Sequence, residues 1–164
     1  MKKSRHTMLW GLFAIYCVMM IYLMFWQRVG GSSYITYWEV LRTNLNLVPF
    51  RTIQEFMAVM GRGIESNHEA LVRIAIVNLL GNVLMFVPLG LFLPHLWPRL
   101  HTFRCFLMSV AAVILIVELV QLFSLLGSFD IDDLILNVLG AAIGFWIYKL
   151  ISAMSSKRQR KIFD

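Results

Sequence analysis

The sequence predicts an all-α polytopic membrane protein: a bundle of four transmembrane helices with an amphipathic helix in its first outer loop. Three observations carry that reading. Hydrophobic residues make up 59% of the 164 residues. They gather into blocks close to the roughly 20 residues that a bilayer core demands of a helix. Every lysine flanks those blocks on one side, while the segments on the other side hold most of the carboxylates and no lysine, as the charge rule for membrane topology leads one to expect.

The first block, residues 8–26, follows Lys2, Lys3 and Arg5. It is too long for a signal-peptide core and ends in bulky Phe25 and Trp26, so it reads as an uncleaved first transmembrane helix. The outer loop, residues 27–70, carries Asn46-Leu47-Val48-Pro49-Phe50 and then a helical pattern. Ile53, Phe56, Met57 and Met60 fall on one face there. Thr52 with Glu55 forms a capping-box pattern that would start this helix, and Gly61 and Gly63 would break it. The segment is expected to lie along the membrane surface or to fold back over the bundle. A second box, Ser66 with Glu69, announces the next helix.

The second transmembrane helix is expected at residues 71–93. Gly81 would thin it for a close backbone approach. Pro88 leaves the Leu84 carbonyl without its helical donor, which in lipid must be satisfied by a neighbour or a local distortion. The third helix is expected at 103–126 and the fourth at 131–151, with a basic tail over 152–164. In the fourth, Gly140 and Gly144 mark a stripe suited to close packing. No internal repeat or second domain interrupts the chain, so residues 1–164 read as one membrane domain.

Orientation follows from the flanks. Lys2, Lys3 and Arg5, then Arg99 and Arg104, then Lys149, Lys157, Arg158, Arg160 and Lys161 would all be cytoplasmic, which places both termini inside. The net charge of +6 is thereby explained by topology and by contact with anionic membrane lipids, and no nucleic-acid partner is expected. Cys17 and Cys105 face no oxidising compartment and are not expected to pair. His6, His68, His95 and His101 are scattered without metal-ligand spacing.

Candidate functional residues stand out as polar groups inside apolar blocks: Asn78 and Asn82, Glu118 and Gln121, Asp132, Asp133 and Asn137. A polar or ionisable residue in a membrane span marks a functional site by default. Asn78/Asn82, Glu118/Gln121 and Asp133/Asn137 are each spaced three or four residues apart, so the members of each pair share a helix face. At about 1.5 Å per residue, Glu118 lies roughly 12 Å below the outer boundary, Gln121 about 7–8 Å, Asn78 about 10 Å, Asn82 about 16 Å and Asn137 about 9 Å. A pocket they share would open outward. The asparagines also suit a purely structural use, since interhelical amide bonds of roughly 1 kcal/mol or less are a known packing device. Glu118 is harder to assign to packing, because a buried carboxylate must be protonated, paired or wet. Asp130 suits the N-cap of the fourth helix. A cap needs one acid, so Asp132 and Asp133 are left for a cation or cationic group; with no further ligands in sequence, no metal or cofactor is assigned.

Taken in order, Asn46 to Phe50, Asn78 to Pro94, Glu118 with Gln121, and Phe129-Asp130-Ile131-Asp132-Asp133-Leu134-Ile135-Leu136-Asn137-Val138-Leu139-Gly140 resemble the VanZ-like family of bacterial membrane proteins, over residues 46–144. The resemblance implies a small helical envelope protein of the bacterial plasma membrane, the family's namesake being associated with resistance to the glycopeptide teicoplanin. Members often carry an Arg just before the acidic turn, where this chain has Gly127-Ser128. If that Arg pairs with a ligand anion or with the acids, its task in this chain is vacant or passes to Arg51 or Arg73.

The functional expectation is a binding or envelope-modifying protein with an outward-facing polar pocket, and the absence of a recognisable catalytic motif favours binding without catalysis. The ligand would be a lipid-linked wall precursor or a lipoglycopeptide, and a homo-oligomer is compatible with this. In it Asn78, Asn82, Gln121 and Asn137 hydrogen-bond the ligand or orient the acids, Glu118 and Asp133 supply charge, and Arg51 and Arg73 meet anionic groups. The alternative is an intramembrane enzyme with Glu118 as base and Asp132/Asp133 as acid or cation ligands. It lacks a recognisable nucleophile or phosphate-binding motif. A transporter is disfavoured because four helices without inverted repeats make a poor alternating-access device.

Overall fold

A computed structural model describes residues 2–25 and 36–163. Residues 26–35, which open the outer loop, and the side chains of the basic flanks Lys2, Lys3, Arg5 and 156–163 lie outside the described residues. The element order is α1 (Lys2–Phe25), α2 (Tyr37–Thr43), β1 (Leu45–Asn46), α3 (Arg51–Glu65), α4 (Glu69–Leu96), a short 3-10 turn (Pro98–His101), α5 (Phe103–Phe123), β2 (Phe129–Asp130) and α6 (Ile131–Phe163).

Among the described residues, four helices are long and apolar enough to cross a membrane: His6–Phe25, Glu69–Leu96, Phe103–Phe123 and Ile131–Ser155. The protein is therefore an all-α, multi-pass membrane protein. Its helices keep large apolar side chains on their outer surfaces, among them Ile15, Val77, Leu84, Met108, Ile116 and Leu150. Hydrocarbon accepts such surfaces where water would not. The third span ends at Phe123 rather than at residue 126, and the fourth helix continues without a break into the basic tail.

Among the described residues, the α4–α6 pair packs most extensively. Gly90, Gly140 and Gly144 make it possible. A Cβ on Gly140 would stand 2.0 Å from the Val83 carbonyl oxygen, one on Gly144 2.0 Å from that of Val87, and one on Gly90 2.0 Å from that of Ala141. The Gly140/Gly144 stripe thus has its expected use. Gly81 does not: nothing stands within 4 Å of a Cβ there, and the close approach sits at Gly90, two and a half turns further along. Beside this seam, Phe106, Val110 and Ile114 of α5 pack with Phe145 and Ala141 of α6. Helix α1 is held more lightly, by Tyr16 and Met20 and by rings such as Phe13 against Phe92. Tyr16 Oη donates to the Met85 carbonyl at 2.9 Å, next in sequence to the carbonyl that Pro88 deprives of its donor.

The outer loop differs most from expectation. It folds back on the bundle, with α3 packed on α4 and touching α6. Thr52 does not cap α3, which begins at Arg51 behind Phe50, a residue in the left-handed region at φ 65°. Gly61 and Gly63 do not break it, because Gly63 is buried where a Cβ would meet Val72 Cγ2 at 2.9 Å. Its role is close packing. Ser66 does not cap α4 either; its hydroxyl donates back to the Arg62 carbonyl at 2.6 Å and ends α3. Helix α2 and the two-residue parallel pairing of Leu45 with Phe129 and Asn46 with Asp130 join the loop to the α5–α6 turn.

Candidate functional site

The acidic turn that opens α6 assigns its three carboxylates to three tasks. Asp130 caps α6 by accepting the Asp132 N–H at 2.8 Å, while its other oxygen accepts from Thr52 Oγ1 and from Asn46 Nδ2 at 3.2 Å. The expected cap is present, and the Thr52 hydroxyl is used here and not at its own helix. Asp132 is 0% exposed, and its two oxygens accept the backbone N–H groups of Phe50 and of Ile53, the latter at 3.1 Å. It caps the first turn of α3 from another helix. Asp133, one residue on, turns to α4 and accepts from Asn82 Nδ2.

Around that last pair lies a cavity of about 450 Å³ lined by Asn78, Asn82, Glu118, Gln121, Asp133 and Asn137, with Met24 of α1 and Met85 of α4 on its walls. Its size falls within the roughly 300–1,000 Å³ usual for small-molecule sites. Each helix contributes through ordinary periodicity. On α5, Glu118 continues the buried stripe of Val110 and Ile114 one turn further. It is 2% exposed, as are Gln121 and Asn137. Met24, Asn78, Glu118, Gln121, Asp133 and Asn137 sit in the part of each span nearest the acidic turn and α3, and Asn82 and Met85 near the middle of α4, so the cavity runs from that end of the bundle to about its middle.

Several of the groups also tie helices together. Gln121 Nε2 donates to the Met24 carbonyl at 2.9 Å, satisfying the last turn of α1 from α5. Asn78 Nδ2 donates to the Ile74 carbonyl of its own helix at 2.8 Å. Asn137 Oδ1 is buried with no hydrogen-bond partner among the described residues. A buried polar atom of that kind costs about 1–3 kcal/mol unless something donates to it.

Three residues singled out in the sequence do not join the cavity. Asp132 is committed to the α3 amides. Arg51 is exposed and pairs with Glu55 at 3.0 Å along the α3 surface. Arg73 lines a separate cleft with Gly63, Ile64, Asn67 and Val72. Neither Arg stands at the Gly127-Ser128 turn, where instead the Gly127 carbonyl accepts from Asn44 Nδ2 at 3.2 Å. Sequence reasoning also missed the Met24 carbonyl and the Tyr37 hydroxyl, which donates to the Phe123 carbonyl at 3.0 Å. Backbone acceptors leave no mark in a sequence. Helix α2 was recoverable, since Thr36-Tyr37-Trp38-Glu39 carries the capping-box spacing and Glu39 Oε2 accepts the Thr36 N–H at 3.0 Å.

Neither the curated proteins nor the solved structures compared with the chain include a significant match. A family model described as VanZ/LLP1 does match, over residues 13–152, a span that contains every residue lining the cavity. The chain belongs to the VanZ/LLP1 family of membrane proteins.

Proposed function

We propose that this protein binds the polar head group of a lipid-linked wall precursor or of a lipoglycopeptide at the outer face of the bacterial plasma membrane. There it contributes to envelope protection or glycopeptide resistance of the teicoplanin type. The observation that carries this reading is the convergence of Asn78, Asn82, Glu118, Gln121, Asp133 and Asn137 on one cavity within the spans. Packing four helices does not require a carboxylate that is 2% exposed. The flanking Lys/Arg distribution supports an arrangement with both termini cytoplasmic and the cavity outward.

The enzymatic alternative, with Glu118 as base and Asp132/Asp133 as acid or cation ligands, has less support. Asp132 is occupied by two backbone N–H groups, which leaves Glu118 and Asp133 without a recognisable nucleophile beside them. The test uses Glu118→Gln and Asp133→Asn, which keep shape and hydrogen bonding while removing charge. Both variants should insert with near-parental thermal stability and lose teicoplanin tolerance in a host made tolerant by the parental protein. Parental tolerance in both well-folded variants would overturn the proposal.

A further inference from the structure

Among the described residues, the cavity is lined by two carboxylates and by no Lys, Arg or His. Asn78, Gln121 and Asn82 each commit an amide N–H to the protein: to the Ile74 carbonyl, to the Met24 carbonyl and to Asp133 Oδ1. Those partners are acceptors, which fixes which end of each amide is nitrogen and leaves each amide its oxygen and one further N–H. Asn137 Oδ1, on a residue 2% exposed, has no hydrogen-bond partner among the described residues. Glu118 and Asp133 line the same space, whereas no Lys, Arg or His among the described residues does. A phosphate or carboxylate entering here would meet like charge in a poorly solvated site. No group of three or more His, Cys, Asp or Glu that could hold a metal forms among the described residues. An ammonium group, with three N–H donors, suits this set of acceptors.

A second cavity, of about 210 Å³, lies between α1, α4 and α5, with walls that include Tyr16, Met20, Phe86, Leu89, Val113 and Val117. Met24 lines both cavities. On α4 and α5 the apolar walls are displaced from the polar ones away from the loop end, and on α1 Tyr16 and Met20 extend the lining from Met24 in the same direction. Met20 precedes Met24, Val113 precedes Glu118, and Phe86 and Leu89 follow Asn82. A chain whose head is held among the carboxylates would therefore run from them toward the middle of the bilayer.

We propose that the ligand class is an amine-bearing amphiphile: its ammonium group is held by Glu118, Asp133 and Asn137, and its hydrocarbon chain lies in the groove between α1, α4 and α5. This rests on the head-group reading above and narrows it to cationic heads. The experiment uses the full chain in lipid nanodiscs and three photoprobes. Each has a tetradecyl chain with a diazirine near its middle, and they differ only in ending as a primary amine, an alcohol or a phosphate. The amine probe should label peptides of α1 around Met20 and of α5 around Val113 saturably, about tenfold or more above the other two, since a charge-assisted hydrogen bond distinguishes them. Glu118→Gln should bring the amine down to the level of the alcohol, and Asp133→Asn should do the same if the first variant folds poorly. Val117→Trp, which fills the groove and leaves the polar lining intact, should abolish labelling around Val113. Equal saturable labelling by the alcohol or phosphate probe would overturn the amine preference while leaving the head-group site standing. Unsaturable labelling of outer, lipid-facing positions by all three probes would overturn both.

Discussion

Replacing Asp132 by Ala separates what holds the outer loop from what binds in the cavity. The carboxylate is 0% exposed and accepts two backbone N–H groups at the first turn of α3, from Phe50 and Ile53. Asp132→Ala leaves both donors without their acceptor. A hydrogen bond to a charged group contributes about 1.5–3 kcal/mol. With some compensation by water at this half-buried end, the pair should be worth about 3 kcal/mol. At about 1.4 kcal/mol per tenfold, amide exchange at Ile53 should accelerate by about 100-fold. Hydrogen exchange on the protein in nanodiscs, read on peptides covering residues 50–56, measures this directly. Asp132→Asn retains one acceptor and should fall between parent and Ala variant. Peptides of α5 around Glu118 should exchange as in the parent. Unchanged exchange at Ile53 together with lost ligand binding would refute the reasoning and return Asp132 to the site.

The glycine seam predicts a sharp contrast. Gly140→Ala and Gly144→Ala, whose added Cβ would stand 2.0 Å from backbone oxygens of α4, should lower stability in thermal unfolding by about 3 kcal/mol or more. Gly81→Ala, with open space around its Cβ, should be neutral or stabilising by about 1 kcal/mol or less. Thr52→Val removes the hydroxyl that donates to Asp130 and should cost about 1 kcal/mol, with Thr52→Ser restoring it. After replacement of Cys17 and Cys105, single cysteines at Ser66 and Ser128 should label from outside intact cells and one at Ser156 should not; the reverse pattern would refute the outward cavity.

The spans were legible in the sequence because a bilayer imposes a length and a polarity that few other environments demand. The polar residues were legible for the same reason: Asn78, Asn82, Glu118, Gln121, Asp133 and Asn137 stand against an apolar background, and shared helix faces bring them to one cavity. The outer loop was not legible, because it obeys long-range bonds and not local patterns. Thr52 with Glu55 and Ser66 with Glu69 have capping-box spacing, yet Thr52 bonds Asp130 across the fold and Ser66 ends the preceding helix. A carboxylate from α6 supplies the α3 cap in their place. Within Asp130-Ile131-Asp132-Asp133, type and spacing cannot tell three tasks apart. Successive residues on a helix point about 100° apart, and only the positions of α3 and α4 decide which acid meets a backbone and which meets the cavity.

Native mass spectrometry of the protein released from a bacterial membrane tests the central claim most directly. The parental protein should retain an amphiphile at one copy per chain, and Glu118→Gln and Asp133→Asn should release it while keeping their thermal stability. Retention of the same species in both variants would contradict the assignment of the cavity as the binding site.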